Sequence, residues 1–384
     1  MRSVVAFPRV RVLVDYRPAL RARTGIGEYV HQLAAALTRL PDAAPAVTVF
    51  SASWRDRVSA DARAELPATR VVDRVVPVGA LRWSWHHLGW PPVEWLAGPH
   101  DVVHSPTPLL LPASRAAQVV TLFDLHFLDA PHLATDVAQR DFARRVRAHV
   151  RRADHVVAGS TSAATLAAST LGVPAERLTT TPLGAPAWAD AVCQRRGTRP
   201  GHAFLFVGTL EPRKNLGLLL DGYERLRARR GDAPPLVVAG GSAPGSDAWV
   251  ARTTRPPLAG HVRVTGYVSD AERQALFADA RALVLPSLDE GFGLPVLEAM
   301  ACGVPVVVSP VGPLPDLAGD AGLVAPLGDA DAWAAALEAC LDDDRAAELG
   351  RRGRARAATY TWAATARATV QAYRAAIAAR AERR

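Results

Sequence analysis

The 384-residue chain contains one lysine and one asparagine, and they are neighbours, Lys214 and Asn215. Every other basic residue is an arginine, so a sequence that otherwise avoids lysine and asparagine keeps both at one spot. Arg213 stands beside them in GTLEPRKN (208–215), directly after the apolar run 204–207 and before a helical pattern. Two cations at a strand end, next to the free N–H groups of a helix start, suit a diphosphate. The plainer reading is a surface turn with two solvated cations, and the isolated lysine argues against it.

A second constellation is PSLDEGFGLPVLEAMACGVP (286–305), again between a strand and a helix. Gly291 and Gly293 let a backbone approach a ligand, so the amides of Gly291, Phe292, Gly293 and Leu294 are candidates for phosphate or sugar oxygens, and Pro295 suits a first helical turn. Glu290 precedes the loop and Glu298 lies one turn into the helix. Carboxylates accept hydrogen bonds from hydroxyls, and a ribose and a hexose are hydroxyl-rich partners. Breaking a sugar–phosphate bond leaves a nucleoside diphosphate with added negative charge, which a divalent metal or preplaced cations must stabilise. No Asp-x-Asp and no His/carboxylate cluster with metal-ligand spacing stands out, so Arg213 and Lys214 are expected to carry that charge without a metal.

The elements around these residues alternate. Apolar runs at 10–14, 47–50, 71–76, 101–104, 119–123, 155–159 and 178–181 read as strands in the first half, and 204–207, 236–239, 262–265, 282–285, 304–308 and 322–325 in the second. Helices are predicted at 26–40, 161–171, 215–230, 270–280, 295–302, 330–341, 344–358 and 361–382. Such alternation implies two parallel sheets covered on both faces, with ligands beyond the strand ends. The join is placed near 190–202, giving domains 1–195 and 196–360, and the stretch 361–384 is a candidate to cross back to the first.

Composition excludes several classes. With 49% apolar and 21% charged residues the chain reads as globular, and no run approaches the length of a spanning helix. VVAF near the N-terminus is too short for a signal core. Cys193, Cys302 and Cys340 fit neither a zinc site nor a disulfide framework, so a reducing cytoplasm is the expected compartment. The charge of +8 raises nucleic-acid binding. No helix-turn-helix, zinc or RNA-recognition signature accompanies it, and general arginine bias accounts for much of it.

In the first half, TGIGE (24–28) opens a helix after the first strand, so Gly25 and Gly27 are candidates to border a donor phosphate or acceptor; a simple turn is the alternative. Arg140, Arg144, Arg147 and Arg151 share one helical face opposite Phe142, Val146 and Val150. That helix either lies on anionic lipid or faces water. Trp83, Trp85, Trp90 and Trp95 have three readings, of which core packing is favoured over stacking on sugars or sitting at a lipid interface. His104 is expected to be a packed, hydrogen-bonded histidine.

Taken together, TGIGEYV, DVVHSP (101–106), VGTLEPRKN (207–215), LVVAGG (236–241), VTGYVSD (264–270) and EGFGLPVLE (290–298) resemble the retaining glycosyltransferases of family 4, the glycosyl transferases group 1. The resemblance implies the GT-B fold, an α/β architecture of two doubly wound Rossmann-like domains facing a central cleft. It implies that Arg213 and Lys214, with Gly208 in the same loop, hold the donor's diphosphate. Glu290 then contacts the sugar, Glu298 the ribose, and Gly266 and Tyr267 lie by the base. The family commonly has a His-Asp pair after the strand at 119–123. Here Phe123 replaces the histidine, Asp124 keeps its place as a catalytic candidate, and His126 is expected in a turn or capping role. Metal-independent transfer with retention is implied, with no cofactor beyond the nucleotide-sugar substrate. TGIG suggests a mannosyl or rhamnosyl donor, GDP-mannose first, with dTDP-rhamnose and UDP-sugars behind. The acceptor class is a glycan or polyprenyl-linked hydroxyl in cell-envelope polysaccharide synthesis, with peripheral contact to an anionic membrane and no nucleic acid. The Phe123 departure keeps open a degenerate sugar-nucleotide-binding or scaffold protein.

Overall fold

A computed structural model describes residues 9–20, 23, 25–41, 44–66, 68–123, 125, 137–197 and 201–384, with backbone alone at 137–140. It divides into two compact units, residues 1–184 with 361–384, and residues 185–360.

The first unit is a seven-stranded sheet of β1 (Arg11–Asp15), β2 (Ala46–Ala52), β3 (Arg70–Arg74), β4 (Val102–Ser105), β5 (Ala117–Leu122), β6 (His155–Ala158) and β7 (Leu178–Thr180). Their spatial order is β3-β2-β1-β4-β5-β6-β7, every pair parallel. The second unit holds β8 (Ala203–Val207), β9 (Leu236–Ala239), β10 (Val262–Gly266), β11 (Ala280–Leu285), β12 (Val306–Val308) and β13 (Gly322–Val324). Their order is β10-β9-β8-β11-β12-β13, also parallel throughout. Central strands such as β4, β5, β11 and β12 are buried along their whole length. That is why they read as unbroken apolar runs: a parallel sheet covered on both faces has no polar side to advertise.

Both orders reverse once, between β1 and β4 and between β8 and β11. Such a reversal splays the connections to opposite faces and opens a crevice at the strands' carboxyl ends. The helices that matter below are α1 (Ile26–Thr38), α2 (Val78–His87), α3 (Val93–Ala97), α4 (Val137–Arg152), α5 (Leu216–Arg229), α6 (Asp270–Asp279), α7 (Leu294–Ala301) and α8 (Trp362–Glu382). Ser269 caps α6 in a reciprocal capping box with Glu272.

The expected boundary at 195/196 is corrected. The first unit ends at Gly184, and the 190–202 segment contributes a helix, Ala189–Arg196, to the second. Its Val192 is fully buried while Asp190, Gln194 and Arg195 are exposed, so the polar residues of this stretch form one face of a helix, where the sequence reading placed the join. α8 belongs to the first unit, packing on α1, β5, β6 and β7. A buried polar chain fixes it there. His104 Nδ1 lies 2.8 Å from the Tyr373 hydroxyl on α8, and its Nε2 lies 2.7 Å from Thr121 Oγ1. Thr121 Oγ1 is in turn 3.3 Å from the Tyr29 hydroxyl of α1. His104 is thus the packed histidine the sequence implied.

Candidate functional site

In the second unit the sequence candidates fall at the reversal of strand order. Residues 208–215 leave the carboxyl end of β8, and residues 286–293 leave that of the adjacent β11. The loops are joined by a backbone bond, the Leu288 N–H donating to the Arg213 carbonyl at 2.8 Å. A short 3-10 turn (Pro212–Lys214) carries the cations. Lys214 is buried, and its Nζ donates to Oε1 of the equally buried Glu290 at 2.5 Å. Ser287 Oγ donates to the same oxygen at 2.7 Å. Arg213 approaches Glu290 Oε2 at 3.7 Å and also donates to Glu211 Oε1 at 2.6 Å and to the Asp289 carbonyl at 2.9 Å. Arg213, Lys214 and Glu290, chosen separately from sequence, therefore form one cluster, a cation pair meshed with a carboxylate across two loops.

Asn215 carries the one positive φ found on a non-glycine among the described residues, 51°. Asparagine visits this left-handed region more readily than other side chains because its short amide bonds locally. The turn between the cations and α5 needs that conformation, which gives the single asparagine a backbone reason.

Gly293 begins α7 at φ 94°, and a Cβ there would come within 2.7 Å of Leu314. Glycine lets 291–294 fold tightly over the helix start, with Pro295 in its first turn. Gly208 and Gly266 lie on the same edge through β9: the Gly208 N–H donates to the Ala239 carbonyl and the Gly240 N–H to the Gly266 carbonyl, each at 2.9 Å. Tyr267, next to Gly266, is 63% exposed. Phe292 is buried, with its ring 6.2 Å from that of Tyr360.

Glu298 is buried in a different pair. Arg273 of α6 places Nη1 3.2 Å from its Oε1, while the guanidinium also lies over the Trp188 ring at 5.4 Å. The sequence reading missed Arg273 and Ser287. Ser287 lies three residues before Glu290 within a motif already singled out; Arg273 sits on another helix with no local signal.

In the first unit, Gly25 starts α1 at φ 51°, and a Cβ on Gly27 would meet the Pro18 carbonyl at 2.8 Å, so α1 packs closely on the loop after β1. Phe123 packs edge-on to Tyr29 at 4.7 Å and fills the space a side chain on Gly159 would need. The ring thus has a packing role in this unit. Asp124 and His126 lie outside the described residues.

Two expectations change. The favoured core role of the tryptophans holds for Trp85 alone, since Trp83, Trp90 and Trp95 are all more than half exposed. The metal-free reading overlooked two Asp-x-Asp spacings, Asp329–Asp331 and Asp342–Asp344. Asp329 and Asp342 cap helices, accepting from the amides of Ala332 and Arg345, and Asp331 pairs with Arg225 and Arg229. Among the described residues no three His, Cys, Asp or Glu side chains gather as a metal-binding group.

Two doubly wound parallel sheets in one chain are the architecture of the GT-B class, and solved structures share the whole fold. Sucrose-phosphate synthase from Thermosynechococcus elongatus superposes with a TM-score of 0.73 at 23% identity, over 95% of this chain and 98% of that one. WaaG, a glycosyltransferase involved in lipopolysaccharide biosynthesis, gives 0.69 at 16%, over 94% and 99%. Residues 23–188 match Glycosyltransferase Family 4 and residues 201–343 match Glycosyl transferases group 1, and the chain belongs to this glycosyltransferase family. Its sequence relatives include O-antigen chain mannosyltransferase B of Escherichia coli, 40% identical over 52% of this chain and 55% of that protein. Phosphatidyl-myo-inositol mannosyltransferase of Mycolicibacterium smegmatis is 35% identical over 48% of each. The chain spans about half the length of the curated relatives it matches.

Proposed function

We propose that the protein is a retaining glycosyltransferase that moves a hexose, mannose first, from a nucleoside-diphosphate donor to a hydroxyl of a glycan or lipid-linked acceptor in cell-envelope polysaccharide synthesis. The observation that carries this reading is the Arg213–Lys214–Glu290 cluster at the strand-order reversal of the second unit. In this reading the two cations and the loop amides stabilise the departing diphosphate, Glu290 orients the sugar, and Glu298 engages the ribose. Preplaced charges in a water-poor crevice stabilise a developing anion far better than mobile ones, because they need no reorganisation as the bond breaks. The names of the relatives support mannose, with GDP-mannose as the first donor to test and dTDP-rhamnose and UDP-sugars next. No metal is needed. The reading includes a cytoplasmic protein resting peripherally on the inner face of an anionic membrane, where a polyprenyl-linked acceptor is found.

The test is diphosphate release by purified protein across nucleotide sugars, with α-mannoside and polyprenyl-linked acceptors. Release with GDP-mannose and a retained anomeric configuration supports the reading. Tight donor binding without turnover on any acceptor would favour the alternative motivated by Phe123, a sugar-nucleotide-binding scaffold.

A further inference from the structure

Among the described residues, seven large apolar side chains are more than half exposed: Trp54, Val75, Trp83, Leu88, Trp90, Trp95 and Tyr267. All but Tyr267 lie between positions 54 and 95 of the first unit. A surface that leaves four tryptophans in water holds a sizeable unfavourable free energy unless something covers it.

Four of these residues crown one hairpin, formed by α2, the turn 88–92 and α3. The hairpin is braced from below. Trp85 is buried, donates from Nε1 to the Pro91 carbonyl at 2.8 Å and packs 6.1 Å from Phe50, while Ser84 bonds the Trp90 carbonyl. The braced turn presents Trp83, Leu88, Trp90 and Trp95 outward, with Trp90 and Trp95 edge-to-face at 5.5 Å. Trp83 stacks on His87 at 5.0 Å, and Arg145 of α4 reaches His87 Nε2 at 3.3 Å. Exposed Arg82 adjoins Trp83, so cations border the aromatic face. The hairpin's one carboxylate, Glu94, is turned away and accepts from the amides of Ser114, Arg115 and Ala116. A glycan-stacking surface would set acceptors beside its rings, and here the acceptor is taken up.

Tryptophan concentrates at the head-group level of bilayers, where its ring is half solvated and its N–H finds an acceptor, and arginine is drawn to anionic lipid. α4 itself does not supply the apolar contact, because Val146 and Val150 are already buried in the core; it supplies charge. No described helix is long and apolar enough to cross a membrane.

We infer that the α2–α3 hairpin is the face by which the protein settles on an anionic lipid bilayer, its tryptophans entering the head-group layer and Arg82 and Arg145 meeting lipid phosphates. This rests on the peripheral attachment proposed above and is independent of the sugar-transfer reaction.

The test is co-sedimentation of the full chain with vesicles of equimolar phosphatidylglycerol and phosphatidylcholine, and with phosphatidylcholine alone. Preferential, salt-sensitive binding to the mixed vesicles is expected. Arg82→Ala should weaken it about fivefold, equivalent to about 1 kcal/mol per basic residue near the surface. The Trp83→Ser/Trp95→Ser double variant should weaken it more than about tenfold. These positions are exposed, so unchanged melting temperature and nucleoside-diphosphate binding by the second unit check folding. Equal binding by parent and variants, or no preference for anionic vesicles, overturns the inference. So does a dimer lost in the double variant without vesicle binding, since the occupant is then a second copy. Vesicle binding without turnover leaves this surface standing while the transfer reading fails; turnover without vesicle binding does the reverse.

Discussion

Arg273 Nη1 stands 3.2 Å from Oε1 of Glu298, joining the capped helix α6 to the helix whose N-terminal loop forms the candidate site. Glu298 is 4% exposed, so the ion pair with Arg273 contributes to the orientation and charge balance of its carboxylate. A hydrogen bond to a charged group contributes about 1.5–3 kcal/mol. Arg273→Leu should therefore raise the donor KM by roughly tenfold or more with little change in kcat, and Arg273→Lys should recover part of it. If Glu298 holds the ribose, the parent will discriminate against a 2′-deoxyribose donor and Arg273→Leu will not. Equal discrimination in both proteins would show that Arg273 does not act through Glu298.

Lys214 and Glu290 should behave as one unit. By analogy with single oxyanion-stabilising contacts, Lys214→Ala should lower kcat by about 100- to 1000-fold. It also takes the nearest cation from a buried carboxylate, leaving it Ser287 and the more distant Arg213, so Lys214→Met with Glu290→Gln is the cleaner comparison, because together they remove both charges while approximating the volume. The double variant should lose less rate than the product of the singles, and melting curves separate the folding contribution from the chemical one. Strictly multiplicative losses would contradict a shared role.

Asn215 is expected to matter for stability and not for the chemical step. At φ 51° a side chain other than Asn or Gly costs about 1–2 kcal/mol. Asn215→Ala should lower the denaturation midpoint by that equivalent while Asn215→Gly stays near the parent, with kcat per folded molecule similar in both. A large loss of kcat in a fully folded Asn215→Gly protein would instead give the amide a direct role.

These residues show what sequence could and could not convey. The strands were legible because buried parallel strands are continuous apolar runs, and Lys214 and Glu290 because rare residue types and a Gly-Phe-Gly-Leu-Pro spacer mark the loops that hold them. Rarity alone left the role of Asn215 open, since a backbone requirement and a chemical one leave identical traces in composition. Arg273 was illegible because its meaning lies in a partner on another helix. Trp83 and Trp85 differ in burial because residues two positions apart on α2 lie on nearly opposite faces of the helix, and the sequence reading had assigned no helix to that segment. The helix at 189–196 was hidden by its own exposed face.

Stability should fall on mild acidification. Complete burial lowers the His104 pKa from its ordinary 6.5 to about 3, where neutral imidazole is shared between Tyr373 and Thr121. The unfolded chain takes up a proton below pH 6.5 and the folded one does not. The contribution is thus complete above 6.5 and lost as pH falls from there towards 3, at about 1.4 kcal/mol per pH unit. His31, His149 and His155, each lowered by burial to about 4, act in the same direction. Unfolding midpoints measured from pH 7.5 downward should fall below 6.5, and His104→Gln, which can still donate and accept, should reduce the slope. A slope unchanged by that substitution would assign the acid sensitivity elsewhere.

Chelation should leave turnover unchanged if preplaced cations do the work of a metal. In the proposed reaction the diphosphate needs positive charge as the glycosidic bond breaks, and Arg213 and Lys214, beyond the carboxyl end of β8, would supply it. Three of the four Asp-x-Asp carboxylates are engaged elsewhere, Asp329 and Asp342 in helix caps and Asp331 with two arginines. EDTA added to a steady-state assay with donor and acceptor should therefore not alter kcat, and added magnesium or manganese should not raise it. Complete loss with EDTA, restored by a divalent ion, would mean that the two cations alone do not balance the leaving group, and the metal-free account of this site would fall.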